Sequence, residues 1–194
     1  MNGLVHIVGA GTTTITADTP EDDTYRDGHA EYTLTVIDPS IQEKTYTKVT
    51  SISEGTYLLC GYENAGTYIC LFPPISDNKC DHNLYSSSNK ITEIKTKDPN
   101  ILGSEVEITQ SESNWLIKVK AKDQYMYFDG SKIAFTSDES LAKHTIGTIN
   151  SSTGKGPIYS GENDEFYHSG SNAGFLYKSG SKGADNIMFF KLSQ

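Results

Sequence analysis

Apolar and polar residues alternate along most of this chain, and turn residues interrupt the alternation at short intervals. In the run HAEYTLTVID, for example, Tyr32 and Leu34 fall on one face, whereas Thr33 falls on the other. A period of two residues is typical of half-buried β-strands. The segment DESLAK at 138–143 fits one helical turn, but no longer run follows the helical period of 3.6 residues. The pattern therefore predicts an all-β chain.

The part of the chain from Tyr46 to Leu192 consists of short alternating segments separated by turn residues, which is the pattern of an all-β domain. The predicted strands are 46–51, 56–62, 67–72, 90–96, 104–110, 114–120, 124–128, 132–136, 144–149, 157–160, 165–168, 174–178 and 187–192.

Three hairpin segments within this region, at 55–72, 115–136 and 156–177, show weak similarity to one another in the order of their turns and aromatic strands. Such repetition predicts a β-trefoil or a small closed β-barrel. The turn signal Asp38-Pro39-Ser40 precedes the region. We therefore predict a β segment at 1–38, a linker at 39–45 and a trefoil or barrel domain at 46–194.

Charge and hydropathy exclude several partners for a chain of 194 residues with a formal net charge of −9. Residues 1–38 hold seven acidic residues against one base, Arg26, and no basic stripe is present elsewhere to bind nucleic acid. No apolar stretch approaches the roughly 20 residues of a membrane helix, so direct membrane insertion is not expected. No signal segment opens the chain, and we interpret the sequence as a fragment of a longer precursor.

In the segment VHIVGAGTTTITAD, a strand-like run is followed by Gly-Ala-Gly, which invites comparison with a dinucleotide-binding loop. The third glycine of that motif would fall at Thr14. The residues after Gly11 are β-branched and poor at opening the helix that a phosphate requires. We therefore predict a β-hairpin here and no phosphate-binding helix.

Residues 1–38 carry a recurring set of glycine, threonine, tyrosine and apolar positions: Gly3, Val5, Gly11, Thr12, Ile15, Thr16, Ala17, Tyr25, Ala30, Tyr32, Thr33, Leu34, Thr35 and Val36. In this order they resemble the C-terminal half of bacterial Ig-like repeats. The resemblance implies a secreted or surface protein built from tandem β modules, in which other domains of a longer chain are neighbours. Half a sandwich leaves an apolar face uncovered, so we expect this segment to pack on the larger domain or another chain, or to be mobile.

The larger domain opens with YTKVTS at 46–51, continues with GTYLL at 55–59 and closes with FFKL at 189–192. In these motifs it is similar to C-terminal β domains of secreted proteins of the Bacteroidetes type. It implies an extracellular or cell-surface location in a bacterium, and it supplies no activity.

Residues that would support catalysis or metal binding are scarce. No hydrolase nucleophile motif or paired-histidine metal motif is present. Cys80 and His82 are close in sequence but lack further ligands, so we interpret them as loop residues. Glu162, Asp164 and Glu165 offer paired carboxylates, but their Gly/Asn/Asp surroundings predict a solvated loop. We expect no enzyme activity, no catalytic residues, no metal and no cofactor.

Aromatic side chains are the remaining candidates for ligand contact, because a ring face stacks on the apolar C–H groups of sugars. Trp115 lies on the same face as Ile117 and Val119, and we therefore predict that it is a core residue. The tyrosines that remain candidates are Tyr125, Tyr127, Tyr159, Tyr167 and Tyr177. The sequence favours a non-catalytic accessory module that binds a glycan or a surface protein. The alternatives are a structural spacer and, less favoured, a hydrolase with a scattered site.

Three cysteines, at 60, 70 and 80, leave at least one thiol free in a monomer. The segment YLLCGYENAGTYICLF predicts a hairpin with the three-residue loop 64–66, which places Cys60 opposite Cys70. A disulfide between Cys60 and Cys70, or two neighbouring buried thiols, would both satisfy this register.

Overall fold

The structure is a computed structural model, and it describes residues 6–20, 26–36, 38–63, 68–73, 91–161, 164–169, 174–179 and 187–193. The chain divides into two compact units. The smaller unit comprises residues 1–42 and 97–99, and the larger unit comprises residues 43–96 and 100–194.

In its described residues, the smaller unit contains one β-hairpin, formed by β1 (Gly11–Thr19) and β2 (Gly28–Val36). The strands pair antiparallel without a bulge. Thr14 lies opposite Thr33 on a polar face, and Ile15 lies opposite Tyr32 on an apolar face. A strand therefore follows Gly11, as predicted, and no helix begins there. Tyr32 is 65% exposed, which shows how little of this hairpin is covered.

The described residues of the larger unit form one antiparallel sheet of 14 strands, and this all-β class confirms the prediction from sequence. The strands are β3 (Lys44–Lys48), β4 (Gly55–Glu63), β5 (Tyr68–Phe72), β6 (Glu93–Thr96), β7 (Val106–Ser111), β8 (Asn114–Val119), β9 (Gln124–Phe128), β10 (Ile133–Thr136), β11 (His144–Ile146), β12 (Lys155–Gly156), β13 (Ile158–Ser160), β14 (Asp164–Ser169), β15 (Gly174–Ser179) and β16 (Ile187–Leu192).

The path through the sheet runs β15-β14-β13-β11-β8-β7-β4-β16-β3-β6. β9 extends it from β8, and β10 follows β9. β5 pairs with β4, and β12 pairs with β16. The sheet curls into a half-barrel. Of the two predicted architectures, a β-trefoil and a small β-barrel, this barrel-like fold agrees with the second.

The concave side of the sheet is filled by one hydrophobic cluster, which we call the inner core. Phe72 of β5 packs against Phe166 of β14 and Phe175 of β15, with ring centroids 5.0 and 5.4 Å apart. β5 is far from β14 and β15 in the strand order, so the curling of the sheet brings Phe72 into contact with the other two rings. The buried members are Tyr57, Leu59, Phe72, Val106, Ile108, Ile117, Val119, Met126, Ile149, Ile158, Phe166, Tyr177, Ile187 and Phe189.

A second cluster lies on the opposite face of the two central strands. In β4, Leu59 belongs to the inner core, while Leu58 and Cys60 belong to the second cluster. Neighbouring residues of a strand point to opposite faces, so β4 is buried on both sides. β16 behaves in the same way, because Phe189 packs inward and Phe190 packs outward. Both strands contain consecutive apolar residues, which is the pattern expected of a strand that is covered on both faces.

Helical structure in the described part of the chain is limited to short pieces. α1 (Pro99–Leu102) contributes Ile101 to the second cluster. Single 3₁₀ turns occur at Lys120–Lys122 and at Glu139–Leu141, and the latter lies within the predicted helical turn at 138–143. None of the described helices has the length and hydropathy of a membrane-spanning helix.

The register of the β4–β5 hairpin corrects the prediction for the cysteines. Glu63 pairs with Tyr68, so four residues separate the strands rather than three. Cys70 therefore lies opposite Gly61, and Cys60 lies opposite Leu71. Cys60 is a free thiol buried in the second cluster, and burial raises its pKa. The predicted Cys60–Cys70 pairing is wrong because one extra loop residue shifts every cross-strand partner.

Candidate ligand-binding surface

The outer face of β8, β9 and β10 carries two tyrosines side by side. Met126 of β9 belongs to the inner core, so its neighbours Tyr125 and Tyr127 point to the convex side. Both tyrosines are half-buried. Alternate residues of a strand are about 7 Å apart, so the two rings occupy adjacent positions along one surface. We call Tyr125 and Tyr127 the tyrosine pair.

Tyr125 is held in place by contacts on two sides. Its hydroxyl donates a hydrogen bond of 2.7 Å to Oε1 of Glu139, and this bond raises the pKa of Tyr125. Lys118, its cross-strand neighbour on β8, places Nζ 5.5 Å from the ring centroid. Lys118 is itself fixed by an ion pair with Asp123, whose backbone is left-handed at φ 53°. The ring is thus held before any ligand arrives, which lowers the entropic cost of binding.

Tyr127 stands beside a small residue. Ala134 of β10 lies directly opposite Tyr127, and Thr136 lies opposite Tyr125. Among the described strands, β10 pairs with β9 alone, so it forms a border of the sheet. The residues beside both rings at this border are therefore small. On the outer face of the β9–β10 hairpin, the tyrosine pair therefore lies next to the small residues Ala134 and Thr136. We call this surface the ledge.

Polar and apolar groups are combined around this ledge. Lys118, Glu139 and Thr136 supply donors and acceptors close to Tyr125. Leu141, in the same 3₁₀ turn as Glu139, is 56% exposed. Aromatic rings with polar groups beside them offer both an apolar contact surface and hydrogen-bonding groups. A sugar fits this chemistry because it offers apolar C–H faces and hydroxyls together.

The other tyrosine candidates occupy different positions. Ile158 and Phe166 pack into the inner core, so Tyr159 of β13 and Tyr167 of β14 point outward. In the strand order, β11 and β8 separate these two tyrosines from the tyrosine pair. Tyr177 is only 9% exposed and belongs to the inner core, so it offers no surface to a ligand. Trp115 packs partly buried against the same core, in agreement with its predicted role.

A buried histidine lies beneath the tyrosine pair, on the concave side. His144 Nε2 is 2.9 Å from the carbonyl oxygen of Met126, and its Nδ1 is 3.2 Å from the hydroxyl of Tyr177. Both side chains are buried, and burial lowers the pKa of His144 and raises the pKa of Tyr177. The backbone hydrogen bond to Met126 opposes the effect on His144. This neutral histidine fastens β11 to β9, which supports the outer residues of β9.

A buried carboxylate, directly before β7, joins β3 to the 3₁₀ turn that follows β8. Glu105 Oε1 accepts hydrogen bonds from Lys44 Nζ at 2.8 Å and from the Tyr46 hydroxyl, and Oε2 accepts one from Lys120 Nζ at 2.9 Å. Burial alone raises the pKa of Glu105, but the three donors together outweigh burial and lower it. The lysines are partly exposed, while the carboxylate is not. We interpret this cluster as a structural ion-pair network rather than a ligand site.

The carboxylate and metal candidates do not form sites in the described residues. Cys80, His82 and Glu162 lie outside them. Asp164 and Glu165 begin β14 and point to opposite faces, and Glu165 is only 1% exposed. The solvated loop that the Gly/Asn/Asp residues indicated is therefore wrong for these two residues. The predicted strand 165–168 already included Glu165, and β14 begins one residue earlier, at Asp164. No group of three or more metal-ligating side chains occurs in the part of the chain that is described.

Comparisons of the chain with protein-family models, with curated proteins and with solved structures find no match.

Proposed function

We propose that this chain is a non-catalytic binding module of an exported bacterial surface protein, and that the larger unit binds a glycan on the tyrosine pair. The observation that carries the proposal is the placement of Tyr125 and Tyr127 side by side on the convex face, with Tyr125 fixed by Glu139 and Lys118. Both rings expose part of their surface, and the strand at their border carries only small residues beside them.

The chemistry of the ledge suits a neutral glycan better than a charged one. Lys118 is paired with Asp123, and the Glu139 carboxylate accepts the Tyr125 hydroxyl, so each charged group beside the rings already has a partner within the protein. Sugar C–H groups stack on the rings, and sugar hydroxyls exchange hydrogen bonds with the ammonium and carboxylate groups. A ligand with a large net charge would gain little from this arrangement.

The proposed location rests on the sequence resemblances, which imply a secreted or cell-surface protein with neighbouring β modules. A binding module on such a protein attaches its parent chain to a polysaccharide. The alternative function, a spacer without a ligand, makes no use of a preorganised aromatic surface.

A glycan array probed with the full chain tests the proposal. We expect binding to one class of neutral glycan. Tyr125→Ala combined with Tyr127→Ala should weaken that binding by about tenfold or more, since loss of aromatic anchors costs about 1.4 kcal/mol or more. Tyr32→Ala is the matched control, because it removes an exposed tyrosine from the smaller unit.

The outcomes separate the two functions. An array on which the wild-type chain binds no glycan supports the spacer and contradicts the binding module. Binding that survives in the double variant, or that is lost equally in Tyr32→Ala, would place the ligand elsewhere and refute the role of the tyrosine pair.

A further inference from the structure

The outer edge of β1 lacks the features that usually keep a strand edge from pairing. Within the described residues, β1 hydrogen-bonds to β2 on one side only. It is nine residues long, contains no proline, lysine or bulge, and carries no charge before Asp18. All but one of its residues are exposed. Native proteins normally protect such an edge with charge, proline or a bulge, because its free N–H and C=O groups pair readily with another strand.

We propose that β1 pairs antiparallel with β1 of a second copy of this chain, so that two hairpins form one four-stranded sheet. This inference is independent of glycan binding. It concerns the smaller unit alone, and it assigns the order β2-β1-β1-β2 to the combined sheet.

The sequence of β1 is complementary to itself in this arrangement. A two-fold axis at Thr14 sets Thr14 opposite its own copy and Thr12 opposite Thr16, all on the polar face. The same axis sets Thr13 opposite Ile15 on the apolar face. On the polar face, polar residues therefore lie opposite polar residues along the new pairing. The existing hairpin already uses this kind of contact, because the hydroxyls of Thr12 and Thr35 are 3.1 Å apart.

Charge favours the edge of β1 over the edge of β2 for this contact. β2 carries Glu31 within the strand, whereas Asp18 of β1 would fall opposite Ala10, beyond the paired stretch. A two-stranded hairpin is only marginally stable in water, and a four-stranded sheet is stable more readily. Pairing also joins the two apolar faces into one surface that includes Ile15, Tyr32 and Leu34 of each copy.

The excess of acidic residues in 1–38 predicts how the contact responds to salt. Two such segments repel each other, so a rise from about 0.05 M to about 0.5 M salt should strengthen the association by screening this repulsion. A basic peptide bound to the same edge would show the opposite dependence, because screening weakens attraction.

Sedimentation equilibrium of the full chain over a wide concentration range tests the inference. We expect a monomer–dimer equilibrium for the wild type. Thr14→Lys and Thr14→Glu should each weaken the dimer, because like charges directly opposite each other are destabilising. An equimolar mixture of the two variants should dimerise again, which would also show that neither variant is unfolded. Thr33→Lys is the matched control: it changes the residue that faces Thr14 within the hairpin, on the strand away from the new contact.

Three results for the wild type and the Thr14 variants would overturn the inference. They are a wild-type chain that stays monomeric at every concentration, a dimer that Thr14→Lys leaves intact, and a mixture of the Thr14 variants that fails to associate. Equal loss of the dimer in Thr33→Lys would also contradict it, since that residue does not lie at the proposed two-fold axis.

Discussion

The imidazole of His168 lies directly against the backbone of Gly61, inside the curled sheet. A Cβ atom added to Gly61 would overlap Cβ and Cγ of His168 and would lie 2.8 Å from Cδ2. Gly61 belongs to β4 and His168 to β14, so the contact joins two strands that the strand order separates widely. The absence of a side chain at Gly61 thus allows the sheet to curl tightly.

Gly61→Ala should therefore destabilise the larger unit by about 2 kcal/mol, because overpacking a buried site forces neighbouring groups to move. Denaturant unfolding followed by fluorescence measures this, since Trp115 is the only tryptophan and packs against the inner core. A double-mutant cycle with His168→Ala provides the control. If the cost of Gly61→Ala stays the same once His168 is truncated, the contact does not limit the packing.

His144 predicts a dependence of stability on pH. Its pKa is held below the ordinary value of 6.5 by burial, so the unfolded chain binds a proton more readily than the folded one. Stability from this residue is therefore complete above the unfolded pKa and falls as the pH drops below it. The slope cannot exceed about 1.4 kcal/mol per pH unit for one proton.

The measurement is the free energy of unfolding of the wild type and of His144→Gln between about pH 5 and pH 7.5, across the unfolded pKa. We expect the wild type to lose stability toward acid more steeply than His144→Gln, which cannot take up the proton. Equal slopes for the two proteins would show that His144 is protonated as easily in the folded chain as in the unfolded one.

Replacing Glu105 tests whether the ion-pair network stabilises the larger unit. Glu105→Ala leaves the buried Tyr46 hydroxyl without its acceptor and removes the partner of Lys44 and Lys120. We expect a loss of about 3 kcal/mol, as for other buried ion pairs that lose one member. Lys44→Met should cost about 1 kcal/mol or less, because this lysine is partly exposed. Denaturant unfolding measures both costs. A larger cost for Lys44→Met than for Glu105→Ala would contradict the claim that the buried carboxylate contributes more to stability than the partly exposed lysine.

Local patterns were sufficient to predict most strands of this protein. The predicted strands 124–128 and 187–192 coincide with β9 and β16, since alternation and flanking turn residues are encoded within each segment. The two-residue strand β12 was missed because so short a segment carries no period. The β4–β5 register was wrong because loops of three and four residues have similar local sequences but shift the partners by one.

The candidate surface could be predicted only in part. The sequence identified Tyr125 and Tyr127 as candidates, but it also included Tyr177, which turns inward. Which face of a strand becomes concave depends on how the whole sheet curls, and no local pattern contains that information. The contact between Tyr125 and Glu139 likewise joins residues of separate elements through the fold.

The most direct test of the account is to map glycan binding onto the tyrosine rings by NMR. The full chain, labelled in its tyrosine side chains, is titrated with the glycan that binds most strongly on the array. We predict that the ring signals of Tyr125 and Tyr127 shift together and saturably, while those of the buried Tyr46 and Tyr57 stay in place. Shifts confined to other tyrosines, or no shift in the pair at saturation, would contradict the claim that these two rings form the binding surface.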